Sequence, residues 1–131
     1  MILLDTHALI WLLTEPDSLS VKSKKAIEQD YKKIPIFVSS ITIWEICLLA
    51  KRGKIDFFKP LERWLTELNQ KTAFQFVPID NTLAYLSQTL PGSFHPDPAD
   101  SLIVATARHL GATLITKDAK IRKYKHVKTL W

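Results

Sequence analysis

A single cysteine, Cys47, leaves this chain no intrachain disulfide, so packing alone must hold it, and a reducing, cytoplasmic setting is the expectation. Cys47 lies in an apolar run (Ile43, Trp44, Ile46, Leu48, Leu49) and reads as a packing residue rather than a nucleophile. Only three glycines are present, Gly53, Gly92 and Gly111, too far apart for a glycine-rich phosphate loop. No serine sits in a G-x-S-x-G setting, which argues against a hydrolase triad. The four histidines and the lone cysteine have no zinc-ligand spacing. No apolar run approaches the roughly 20 residues of a membrane helix. Nor is a secretory signal visible at the start, where Asp5, Thr6 and His7 interrupt the apolar residues and no basic segment precedes them.

What is present fits one domain over residues 1–131, with 47% hydrophobic and 24% charged residues, enough for a sizeable core. The formal net charge is +5. Much of the excess falls late, with Lys117, Lys120, Arg122, Lys123, Lys125 and Lys128 against Asp118 alone. A basic stripe suits a polyanion such as nucleic acid, although a solvated face explains it equally well.

Apolar periodicity divides the chain into short strands and helices. Ile2 to Leu4 reads as a buried strand, followed by a turn at Asp5-Thr6 and a helix from Ala8. Ser20 caps a polar helix to about Asp30, and Ile34 to Val38 is the next strand. Ile41 to Lys51 is apolar almost all round on a helical wheel, which predicts a buried helix. Leu61, Trp64, Leu65 and Leu68 have helical spacing, as a core stripe or a docking surface. Phe74 to Val77 is a strand or extended link, and Asp80 caps a helix from Asn81 to about Thr89. The HPDPADSLIVATARHLGATLITKD segment predicts a helix capped by Asp97 and opened by Pro98, then a strand from Ala112 to Thr116. Val127 to Thr129 adds an edge strand. Strands alternating with helices indicate a parallel sheet with helices on both faces.

The acids fall at the ends of these elements. Asp5 and Asp118 follow strands, Asp97 and Asp100 open a helix, and Glu45 lies between Ile41 and Leu49 on an apolar one. Helix capping accounts for each aspartate separately. Glu45 has no such explanation and needs either a buried salt bridge, to Arg52 or a lysine, or a cation. Carboxylates gathered at one sheet edge repel one another, which favours a bound cation or a raised pKa. A ligand set of oxygens without thiolate or imidazole selects Mg²⁺ or Mn²⁺. Thr6, Ser39 and Thr116 stand at the same strand ends, where they would hydrogen-bond the carboxylates or a phosphate.

At these residues, in LLDTHALIWLL, SSITIWEI, HPDPADSLIVATA and LITKD, the chain resembles PIN domains of the VapC toxin type over nearly its whole length. The resemblance implies a three-layer α/β/α sandwich with a mainly parallel central sheet. It implies that Asp5, Glu45, Asp100 and Asp118 form an acidic quartet holding Mg²⁺ or Mn²⁺ for RNA cleavage, with Asp97 as an additional acid. It further implies an endoribonuclease, commonly dimeric, neutralised by a cognate antitoxin. The family often has arginine after the acid at Asp100, where this chain has Ser101 and so lacks any contact made through that arginine. Two other readings stay open. One is an RNA-binding or regulatory module of the same fold without turnover. The other is a receiver- or phosphatase-type phosphoryl domain, which lacks support because Thr6-His7-Ala8 follows Asp5 where D-x-D-x-T is needed.

Overall fold

Ile2, Leu3 and Leu4 are all buried, so the strand they form must have elements packed on both of its faces. The computed structural model describes residues 1–131 and places this strand, β1 (Ile2–Leu4), at the centre of a five-stranded sheet. After it come α1 (Thr6–Thr14), a single 3₁₀ turn (Pro16–Ser18), α2 (Val21–Tyr31), β2 (Ile36–Ser39) and α3 (Ser40–Lys51). The chain continues through α4 (Leu61–Asn69), β3 (Phe74–Val77), α5 (Asn81–Gln88), α6 (Pro98–Leu110), β4 (Thr113–Ile115), α7 (Ala119–Lys123) and β5 (Thr129–Leu130). The strand order is β3-β2-β1-β4-β5, and every pairing is parallel.

Strand alternation divides the interior into two cores. Ile2 and Leu4 of β1, with Ile36 and Val38 of β2, pack against α1, Ile27 of α2, Ile46 of α3 and Trp64 and Leu68 of α4. Leu3 and Leu114 point the other way, onto Ile103, Val104 and Ala107 of α6 and Ile121 of α7. α5 packs along α6. The result is the expected α/β/α sandwich, with a sheet that is wholly parallel. No helix is long and apolar enough to cross a membrane.

Several boundaries differ from those read in the sequence. β2 starts at Ile36, because Pro35 has no N–H to donate and the first bond to the neighbouring chain runs from the Ile36 N–H to the Ala73 carbonyl (2.8 Å). β5 lies later than Val127 to Thr129, since bonds from Leu114 to the Lys128 carbonyl and from Thr116 to the Leu130 carbonyl set its register on β4. The α4 stripe is a core stripe, with Trp64 and Leu68 buried. The largest departure is α3, which is not buried all round. Only Thr42 and Ile46 are buried, and Trp44 is 59% exposed.

Candidate active site

The strand order makes β1 and β4 the pair from which the chain departs in opposite directions, and their carboxyl ends lie side by side. Open α/β sheets have their binding crevice at such a point. Asp5 leaves β1 here, with its N–H bonded to the Ile115 carbonyl of β4 (3.2 Å). Its side chain accepts from the Ala8 N–H at 2.8 Å and so caps α1. Past β4, Asp118 caps α7 by accepting from the Ile121 N–H at 3.0 Å. Asp97 caps α6 by accepting from the Asp100 N–H at 2.9 Å, and Pro98 follows at the first helical position, as expected. Each of these caps uses one carboxylate oxygen, which leaves the second available. Capping and site formation are therefore compatible roles for the same aspartates.

Glu45 arrives from α3 and accepts a hydrogen bond from the Thr6 hydroxyl at 2.5 Å. The Thr6 and Thr42 hydroxyls are 3.3 Å apart, so the glutamate is held through a small buried polar group. The ion pairs of the chain do not include Glu45, which leaves the salt-bridge alternative to Arg52 or a lysine unfilled. Asp5, Glu45, Asp97, Asp100 and Asp118, drawn from segments up to 113 residues apart (118 − 5), line one cleft of about 510 Å³ together with Thr6.

The electrostatics follow from that crowding. Burial pushes the Asp5 carboxyl above its ordinary range, against the Thr116 hydroxyl, the Ala8 N–H and His7, with Asp118 adding to the rise. Burial likewise raises Glu45, opposed by the Thr6 hydroxyl, with Asp97 and Asp5 among the further causes. Asp100 is pushed up to about 7, first by burial and then by Asp97, Asp118, Glu45 and Asp5 in turn. It therefore feels every other acid in the cleft. The N-terminal ends of α1 and α6 bring partial positive charge to the same edge and offset part of the repulsion.

A divalent cation fits the donor chemistry, since all five acids offer oxygen and their mutual repulsion would fall on binding one. No three acidic or imidazole side chains already meet at one point, so the fit rests on the donor set and its charge rather than on a closed cage.

The three expected helpers part company. Thr6 binds Glu45 and lines the cleft. Thr116 is fully buried, bonds the Asp118 N–H at 3.1 Å and favours the charged form of Asp5. Ser39 instead caps α3 by accepting from the Ile41 N–H at 3.3 Å and does not line the cleft. Ser101 is buried, and its hydroxyl donates to the Asp97 carbonyl at 2.9 Å, so it tightens the first turn of α6.

Three residues here, His7, Trp11 and His95, were not singled out as site residues in the sequence, and Lys117 stood there only as part of the basic stripe. His7, Trp11 and Lys117 line the cleft. His95 places its Nε2 3.3 Å from an Asp100 oxygen, an ion pair when the imidazole is protonated. That Nε2 is buried and makes no hydrogen bond, so the contact is one of proximity and charge rather than of aligned donor and acceptor. His7 and Trp11 did carry a signal, the four-residue spacing that puts both on one face of α1. The contact of His95 depends on tertiary structure and left none, whereas Lys117 belonged to the basic stripe near the end of the sequence.

Comparison with known proteins agrees with this architecture. The family model described as PIN domain matches residues 2–127. Ribonuclease VapC22 from Mycobacterium tuberculosis is 36% identical over 132 residues, covering 99% of this chain and 98% of the relative. Among solved structures, a toxin–antitoxin complex from Klebsiella pneumoniae has a chain 25% identical at a TM-score of 0.64, covering 97% of this chain and 95% of that one. VapBC2 from Rickettsia felis bound to a promoter DNA fragment shares the fold at a TM-score of 0.70 and 18% identity, covering 99% and 98%. These matches set aside the receiver- or phosphatase-type reading. On its fold, the extent of the family match and its identity to a ribonuclease, the chain belongs to the PIN domain family.

Proposed function

We propose that this PIN domain, over residues 1–131, is a divalent-metal-dependent endoribonuclease and the toxin of a toxin–antitoxin pair. The observation that carries the chemistry is the convergence of Asp5, Glu45, Asp97, Asp100 and Asp118 on one cleft, where burial and the other four acids push the Asp100 carboxyl up to about 7. Such crowding is relieved by protonation or by a bound cation, and the all-oxygen donor set suits a divalent one. The 36% identity to a ribonuclease supports RNA as substrate, and the similarity to a toxin–antitoxin complex supports an antitoxin partner. A homodimer is the assembly that goes with this reading.

In this reading Asp5, Asp100 and Asp118 hold the ion, Glu45 joins them or orients the attacking water, and Asp97 stands beside them as an auxiliary acid. Oxygen donors make Mg²⁺ or Mn²⁺ the fitting ions. A divalent ion supplies a lowered pKa for water and offsets charge growing on a phosphoryl oxygen. Glu45, raised by burial and fixed by Thr6, is placed to take the proton of a water attacking the phosphodiester in line. Thr116 keeps Asp5 and Asp118 in place between the ends of β1 and β4.

The test compares digestion of a total-RNA pool by the wild-type chain and by Asp5→Asn, each with Mg²⁺ and with EDTA. Asparagine retains an oxygen for the Ala8 N–H, so the cap survives while the charge is lost. The expected result is cleavage by the wild type with Mg²⁺ alone. Persistent cleavage by pure, folded Asp5→Asn removes the metal mechanism, and RNA bound but never cut favours the module without turnover.

A further inference from the structure

One wall of the cleft is not acidic. His7 and Trp11 lie four residues apart on α1, with ring centroids 5.6 Å apart and ring planes tilted by 52°. Trp131, directly after β5, has its ring centroid 5.6 Å from that of Trp11, with the planes tilted by 56°. Lys117, between the buried Thr116 and the cleft acid Asp118, holds its Nζ 5.8 Å from the centre of the Trp11 ring. His7, Trp11 and Lys117 line the same cleft as the five acids. His7 and Lys117 are exposed, whereas Trp11 and Trp131 are half-buried.

We infer that Trp11, flanked by His7 and Trp131 and served by Lys117, is a stacking platform for one unstacked nucleobase of single-stranded RNA beside the phosphate to be cut. This inference rests on the ribonuclease reading above and adds how the substrate is seated. An acidic cleft repels a polyanion, so affinity must come from contacts that carry no negative charge or that carry a positive one. An indole face supplies the first kind, because every base has a π-face and stacking tolerates sequence. An ammonium group next to the ring supplies the second. Lys117 sits on a flexible, exposed side chain, so it can leave the Trp11 face to a base and pair with the adjoining phosphate. Trp11 also packs on the rim of the main core, which fixes the ring before RNA arrives.

The test uses the Asp100→Asn chain with Mg²⁺, so that RNA stays intact, and fluorescence anisotropy with two labelled probes. One is a random-sequence single-stranded RNA decamer, and the other is a decamer of tetrahydrofuran abasic units with the same phosphates. Tight base stacking is expected to make the RNA bind on the order of tenfold better than the abasic chain. Trp11→Leu should remove that preference, and Trp11→Phe should keep most of it. Lys117→Ala should weaken both probes alike and lower the slope of affinity against salt by about one. Equal binding of the two probes to the chain with Trp11 intact overturns the platform, and that comparison needs no change at Trp11. An unaltered preference in folded Trp11→Leu overturns it as well. Wild-type cleavage of total RNA decides separately whether the ribonuclease reading stands, and binding of neither probe ends the platform in either case.

Discussion

Asp100 is the residue at which the field of the cleft accumulates, and its protonation couples to folding. In the unfolded chain it ionises near 3.8, whereas in the fold it ionises near 7. Between those values the native state holds a proton that the unfolded state has released. The stability it contributes is therefore complete below about pH 4 and is lost as pH rises through about 7. Asp5 and Glu45, also raised, act in the same sense. Without divalent ions, Asp100→Asn should be more stable than the wild type at pH 8 by about 1–2 kcal/mol, a figure discounted for solvent screening of a partly exposed group. That gap should close at pH 4. Urea unfolding in EDTA at the two pH values measures it, and a wild type at least as stable as the variant at pH 8 speaks against the repulsion. The same cost of burying a carboxylate explains why Glu45 stood out in the sequence. A carboxylate on an apolar helix needs a reason, and here its neighbours are Thr6 and the other acids. His95 gave no comparable sign, because its proximity to Asp100 comes from the loop geometry before α6 rather than from any pattern of residues.

At the scale of elements, helix caps decide both where helices start and where acids gather. Asp80 and Asp97 cap α5 and α6 by the same hydrogen bond, at 2.8 and 2.9 Å, yet only Asp97 lines the cleft. Asp80→Ala should cost about 1 kcal/mol of stability and leave RNA cleavage as it was. Asp97→Ala should cost a similar amount and also weaken cleavage. Asp97→Asn, which keeps the cap and removes the charge, should weaken cleavage alone. Thermal melts and a cleavage assay on the three variants separate the two roles, and full activity in Asp97→Asn would confine that residue to capping. Caps were readable because Asp, Ser and Pro stand immediately before helical runs, apolar after Asp97-Pro98 and polar after Ser20. The exposure of α3 was not. Hydropathy records that Ile43, Trp44, Cys47 and Leu48 are apolar, but not whether another element covers them, and here Trp44 is left mostly exposed. Strand ends moved for the same kind of reason, since they depend on which carbonyl faces each N–H across the sheet.

At the scale of the molecule, the order β3-β2-β1-β4-β5 turns acids separated along the chain into neighbours. Alternating strands and helices made the parallel sheet legible, and the apolar runs ending in Asp5 and preceding Asp118 marked its carboxyl edge. What the sequence could not reveal was the opposite wall, because Trp11, Lys117 and Trp131 meet only when β4 and β5 bring the end of the sheet against α1. In a chain of net charge +5, the acidic cleft thus carries Lys117, His7 and Trp11 among its lining, groups suited to contacting a polyanion that the acids alone would repel. The most direct test of that arrangement is calorimetric titration of Mn²⁺ into the purified chain at neutral pH. The wild type should bind the ion and release protons as it does so, because Asp100 is partly protonated there. Asp5→Asn, Asp100→Asn and Asp118→Asn should each lose about tenfold or more in affinity, and Asp80→Asn none. Equal Mn²⁺ affinity in the wild type and Asp100→Asn would contradict a single metal-binding cleft.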